Sequence, residues 1–165
     1  MMTVRQANEA DFATIRDIAF KTWPEAYGEI LSPDQLQYML HAFYSDAALF
    51  ENYTKKHHRF LLLLENEEAL GFASYEHHYQ SLPVTRLHKI YLLPQSQGKG
   101  AGKLLMETVE KRAVANGSKV ISLNVNRFNK AQIFYRKHGF EIVGEEDIDI
   151  GRGYLMEDFK MEKKI

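Results

Sequence analysis

Three glycines at alternate positions, Gly98, Gly100 and Gly102, stand between an apolar run ending at Leu93 and a helix-like run that includes Leu104, Leu105 and Val109. A bare backbone can turn sharply there and aim its N–H groups outward, which makes a cradle for an anion. The first turn of the following helix adds unpaired N–H groups and partial positive charge, so a pyrophosphate would meet donors and field together. Lys99 and Lys103 would add full charges. Close packing of helix on strand is the other use such glycines have. Spacing removes two phosphate chemistries. A P-loop ends in Gly-Lys-Ser/Thr, but Gly102-Lys103 is followed by Leu104, so the magnesium-binding hydroxyl is missing. A dinucleotide fingerprint would need its third glycine where Lys103 stands. The absence of cysteine excludes thiolate zinc sites, disulfides and a cysteine nucleophile. Glu76, His77, His78 and His88 are candidates for proton transfer, since imidazole titrates in the useful range. No His-Glu-x-x-His pattern is present, and no metal is expected.

Alternating elements must position that turn. Thr3 to Ala7 reads as a strand, and Asn8 can cap a helix carrying Phe12, Ile15, Ala19 and Trp23 that Pro24 should end. Ser32-Pro33-Asp34-Gln35 opens a second helix: Ser as cap, Pro in the first turn, and Gln to return the hydrogen bond. Leu36, Met39, Leu40 and Phe43 form its buried stripe. Phe60 to Leu64 is continuously apolar, as in a strand covered on both faces, and Asn66-Glu67 turns into Leu70 to Tyr79. Arg86 to Leu93 is the strand before the glycine turn, whose helix closes at Gly117. Val120 to Val125 reads as a strand, Asn129 to Lys137 as a helix ended by Gly139, and Phe140 to Val143 and Tyr154 to Met161 as closing strands. The order βααβββαβαββ predicts an α/β fold (α+β mixed): a central mixed sheet of about seven strands flanked by about four helices.

With 165 residues, 45% of them apolar, and no linker or repeat, residues 1–165 are expected to form a single domain. Twenty-one Lys and Arg against 22 Asp and Glu leave no basic excess for a nucleic-acid backbone. The longest purely apolar run, Phe60 to Leu64, is far short of the ~20 residues a bilayer requires. With no signal-peptide pattern at Met1 to Arg5, a cytoplasmic location is expected, with neither membrane nor nucleic acid as partner.

Gln97-x-x-Gly100-x-Gly102 resembles the acetyl-CoA loop of the GCN5-related N-acetyltransferases (GNAT), Gln/Arg-x-x-Gly-x-Gly/Ala, and the same string also fits from Gln95 to Gly100. Asn129-Lys130-Ala131-Gln132-Ile133-Phe134-Tyr135, followed by Gly139-Phe140, is similar to the family's next motif, and Leu87 to Pro94 to its preceding strand. The resemblance covers essentially the whole chain. It implies acetyl-CoA as co-substrate, with the pantetheine arm along Ile90, Tyr91 and Leu92 and the pyrophosphate on Gln97, Gly98, Lys99, Gly100, Ala101, Gly102 and Lys103. Asn129 would bond the pantetheine or phosphate arm, and Lys137 would approach the nucleotide end. A backbone N–H near Leu92 would face the oxyanion where the strand splays from its neighbour, and Tyr135 would protonate the leaving sulfur. Some relatives carry a glutamate base where Arg86 stands, and no base is assigned.

Trp23-Pro24-Glu25-Ala26-Tyr27, Leu31-Ser32-Pro33 and Gly151 to Asp158 resemble a narrower branch, the small-amine acetyltransferases related to bacterial PaiA. Trp23 and Tyr27 would stack on or close over the amine, or serve the core. Glu25 and Glu29 would attract a cationic acceptor or stay solvated. The reading is an acetyltransferase acting directly on a small-molecule amine, with a polyamine foremost. The alternatives are acetylation of protein N-termini or lysines, and a non-catalytic acyl-CoA-sensing module. A homodimer is an expectation from the resemblance alone.

Overall fold

A computed structural model describes residues 1–165. Strands β1 (Met2–Gln6), β2 (Arg59–Glu65), β3 (Glu68–Glu76), β4 (Val84–Leu92), β5 (Val120–Asn126), β6 (Glu141–Asp149) and β7 (Leu155–Lys164) form one sheet in the order β1-β2-β3-β4-β5-β7-β6. The helices are α1 (Phe12–Tyr27), α2 (Pro33–Tyr44), α3 (Asp46–Thr54), α4 (Ala101–Ala115) and α5 (Ala131–Lys137). The β4–β5 pair is parallel and the other pairs are antiparallel, which makes the sheet mixed as expected.

Helices cover both faces. One core joins Ile15, Ile18, Trp23, Leu40 and Leu49 of α1 to α3 to Phe60 and Phe72 of the sheet. The other joins Leu105, Met106 and Val109 of α4 and Tyr135 of α5 to Leu61, Leu63 and Leu123. β2 and β3 are therefore buried on both sides, which is what the uninterrupted Phe60-to-Leu64 run predicts.

Four local expectations need correction. Pro24 lies inside α1 rather than ending it. Its ring removes one donor, but the Gly28 N–H bonds the Pro24 carbonyl at 2.9 Å and burial of Trp23 and Tyr27 holds the last turn in place. Ser32 caps α2, accepting from the Gln35 N–H at 3.1 Å, yet the Gln35 side chain does not return the bond and instead donates to the Leu155 carbonyl at 2.9 Å. A fifth helix, α3, follows at once because Ser45 ends α2 and caps α3 through the Ala48 N–H. Its single fully buried side chain, Leu49, leaves little amphipathic signal. β3 stops at Glu76, before Tyr79, because His78 turns the chain into the left-handed region.

The feature that shapes the site is a bulge. Opposite β3, Ser74 pairs with Lys89 while Tyr75 pairs with Leu87, so His88 is the extra residue on β4. A bulge bends its strand and sharpens its twist. β4 pairs with β5 only from Val84 to Arg86, against Val120 to Ser122, and the two strands part just before the bulge. β5 stays paired with β7 along its whole length, so a wedge opens between Leu87–Leu92 and Leu123–Asn126.

Candidate active site

Main-chain direction decides what the wedge presents. The Leu93 N–H donates to the Leu70 carbonyl at 2.8 Å. Bonded residues alternate along an antiparallel ladder, so Tyr91 turns its main-chain groups to β3 while Ile90 and Leu92 turn theirs toward the wedge. Gly71 fixes this edge: a Cβ there would sit 2.9 Å from the Tyr91 carbonyl oxygen and 2.5 Å from a Leu92 methyl carbon. Gly71→Ala is expected to displace Tyr91 and Leu92, with about 1–3 kcal/mol lost from stability. Thermal unfolding would measure that loss, and unchanged stability would show that β4 can yield freely.

β4 runs into the glycine turn. Gly98 and Gly100 have φ of 76° and 75°, and a Cβ at either would meet nothing within 4 Å, so the turn has an open face. The N–H groups of residues 98–103 have no acceptor in the main chain or in any side chain. This row of free donors at the start of α4 suits a diphosphate. Gly102 packs instead, since a Cβ there would lie 2.8 Å from the Phe134 ring and 3.2 Å from a Leu92 methyl carbon. The Lys99 ammonium pairs with Glu65 at 2.7 Å. Lys103 is exposed and lies 3.9 Å from Glu107.

Two cavities meet at β4. The smaller, about 270 Å³, follows the wedge past Ile90, Leu92, Asn129 and Tyr135. The larger, about 530 Å³, lies between α1, α2 and the β6–β7 end and reaches Trp23, Lys56, Arg86 and Asp158. Tyr27, Leu87, His88, Lys89, Tyr91 and Asn124 belong to both walls. The Tyr27 and Tyr91 hydroxyls are 3.0 Å apart, and burial raises the pKa of both. Burial first, and then the neighbouring Tyr27, raise the pKa of Tyr135 well above the ordinary phenol value, so it keeps its proton.

Residues 12–140 match the family model for acetyltransferases of the GNAT family. The chain belongs to that family. It is an acetyl-CoA-dependent N-acetyltransferase. It is 30% identical over 135 residues to an uncharacterized N-acetyltransferase of Mycobacterium bovis, covering 81% of this chain and 85% of that one. It is 27% identical to a spermidine N(1)-acetyltransferase of Thermoplasma acidophilum, over 98% of this chain and 96% of the relative. The crystal structure of PaiA N-acetyltransferase from Thermoplasma acidophilum in complex with coenzyme A superposes with a TM-score of 0.83 at 26% identity, covering 100% of this chain and 99% of that one. No helix is long and apolar enough to cross a membrane.

The acetyltransferase gathers most of the residues expected from its sequence. Ile90 and Leu92 offer main-chain groups, whereas Tyr91 spends its own on β3 and contributes its side chain. The Asn129 side-chain oxygen Oδ1 accepts from the Ala131 N–H at 2.8 Å at the start of α5, and the Asn129 side chain also faces the Tyr27 hydroxyl. Trp23 and Tyr27 are both core and cavity wall, with ring centres 4.7 Å apart. Gln97 is exposed at the mouth of the turn. Lys137 ends α5 and borders a different surface depression, beside Lys111 and Lys163. Among the proton-transfer candidates, Glu76 and His88 come together at 3.0 Å, whereas His77 turns to Thr85 at 2.9 Å. Arg86 donates to Ser122 and lies over the Tyr79 ring.

Sequence reasoning missed three residues of this acetyltransferase. His58 stacks on His88 with ring centres 3.9 Å apart, and its Nε2 lies 3.6 Å from Glu76. Burial above all lowers the pKa of His58 to about 4 and of His88 to about 2, so both imidazoles are neutral. Lys89 reaches the larger cavity without a carboxylate partner. Asp158, on β7 opposite Asn126, is buried with one carboxylate oxygen unpartnered. Burial lifts its pKa to about 6 against the opposing influence of the Asn124 amide. Their sequence signal is faint, since a lone charged residue in a strand ordinarily reads as surface.

Proposed function

We propose that the protein transfers the acetyl group of acetyl-CoA directly to the amine of a small molecule held in the larger cavity. The observation that carries this reading is the succession of the free N–H groups of residues 98–103, the main chain of Ile90 and Leu92, Tyr135, and a second cavity that shares walls with the wedge. The ties between α2 and the β6–β7 end, where Tyr38 donates to the Ile150 carbonyl at 2.8 Å and Gln35 to that of Leu155, narrow this side of the molecule and favour a small acceptor over a polypeptide.

A bound thioester supplies an acyl group that leaves sulfur when a neutral amine attacks its carbonyl. The Leu92 N–H, turned into the wedge, serves the oxygen on which charge develops. Tyr135 gives its proton to the departing sulfur, and Asp158, which titrates near neutrality, takes one from the amine. With no cysteine, and no serine–histidine–acid arrangement evident in the sequence, a covalent relay lacks a carrier.

Similarity to a spermidine acetyltransferase supports a polyamine acceptor. The cavity wall, with Lys56, Arg86 and Lys89 against Glu51 and Asp158, favours an amine with less positive charge. The test is a thiol-release assay with acetyl-CoA and a panel of amines, run beside calorimetry with CoA. Binding followed by amine-dependent release is expected. Binding without release would leave an acyl-CoA-sensing module.

A further inference from the structure

Lys89 faces both cavities of the acetyltransferase with no ion pair. Its Nζ lies 5.1 Å from the centre of the Tyr44 ring and 5.9 Å from that of Phe60. Ring faces compensate an ammonium only in part. Glu76, on the adjacent strand, is engaged by His88 at 3.0 Å and faces His58 at 3.6 Å. Asp158 stands across the wedge on β7. Lys89 itself has no ion pair, and Lys56, a cation of the same wall, repels it. Burial, with Lys56 second, brings its pKa down to about 8, which still leaves it charged at neutral pH.

A half-buried ammonium without a partner carries a desolvation cost, which an apolar residue beside Tyr44 and Phe60 would avoid. A polycationic acceptor would place a second positive charge in the same cavity and worsen it. A carboxylate brought by the ligand would complete the pair and accept the ammonium's hydrogen bonds.

We propose that Lys89 binds a carboxylate of the acceptor, so that the substrate class is a small amino acid carrying both the amine to be acetylated and an acid group. This rests on the acetyl-transfer reading above. The cavity, about 530 Å³, has room for such a molecule, with Trp23 and Phe43 as wall for an apolar side chain. The amine then lies toward Asp158 and Asn124, and the acid toward Lys89.

The experiment compares free amino acids of several lengths, the matching carboxamides and spermidine as acceptors for the wild type and Lys89→Met, with CoA affinity measured in parallel. The wild type is expected to favour each acid over its carboxamide by about tenfold or more in kcat/KM, since the bond lost is charge-assisted. In Lys89→Met that ratio should fall toward one with CoA affinity retained. Equal use of acids and carboxamides by the wild type, a preference for spermidine, or an unchanged ratio in Lys89→Met would overturn the assignment while leaving acetyl transfer intact. If CoA binds but neither kind of acceptor releases it, the acetyl-transfer reading falls first and this one with it. The wild-type ratio needs no variant, so a poorly folded Lys89→Met would not protect the proposal.

Discussion

Tyr135→Phe is expected to lower kcat about 100-fold, the lower end of the range for a lost general acid, with CoA affinity and melting temperature near those of the wild type. The change removes one oxygen from a ring that lines the smaller cavity and packs against Phe134 and Phe140. The ring stays, so its apolar contacts stay. What goes is a proton that burial holds on the phenol through the neutral range and that, in the proposed mechanism, passes to the thiolate as it forms. Single-turnover measurement separates the chemical step from product release. An unchanged chemical step would show that the sulfur leaves without help from Tyr135.

The second large effect is expected at Asp158. Asparagine has almost the same shape but cannot accept the amine's proton, so Asp158→Asn should reduce kcat/KM about 100-fold at neutral pH. In the wild type, a base titrating near 6 is ionised above that value, so kcat/KM, expressed per neutral amine, should rise tenfold per pH unit below about 6 and then level off. The variant should lose this inflection. Stability supplies an independent sign. The folded carboxyl holds its proton more tightly than an ordinary aspartate, so its contribution is fully present below about 4 and is lost as pH rises through about 6. Asp158→Asn should therefore melt higher than the wild type at pH 7 while turning over more slowly. A variant that keeps the wild-type pH profile would remove Asp158 from proton transfer.

The parts legible in the sequence are those whose chemistry is local. The glycines of the turn create free donors by their own backbone freedom, and Asn129 to Tyr135 form one helix entry, so spacing alone predicts both. Alternation of apolar runs likewise predicts seven strands and their mixed sheet. The wedge is expected only through the family resemblance and not from spacing, because it arises from the His88 bulge and from β5 keeping β7 as partner, both properties of strand pairing. For the same reason nothing in the sequence places Lys89 and Asp158 on one cavity wall, which forms only where β5, lying between β4 and β7, parts from β4. Tyr91 shows the limit in miniature: its strand was evident, but the register that turns its main chain to β3 is set by Gly71 and Leu70.

A crystal structure with acetyl-CoA bound tests the central claim most directly. The diphosphate should lie on the N–H groups of residues 98–103, with the thioester in the wedge beside Leu92 and its sulfur within reach of the Tyr135 hydroxyl. A diphosphate seated elsewhere, or a thioester outside the gap between β4 and β5, would contradict the account.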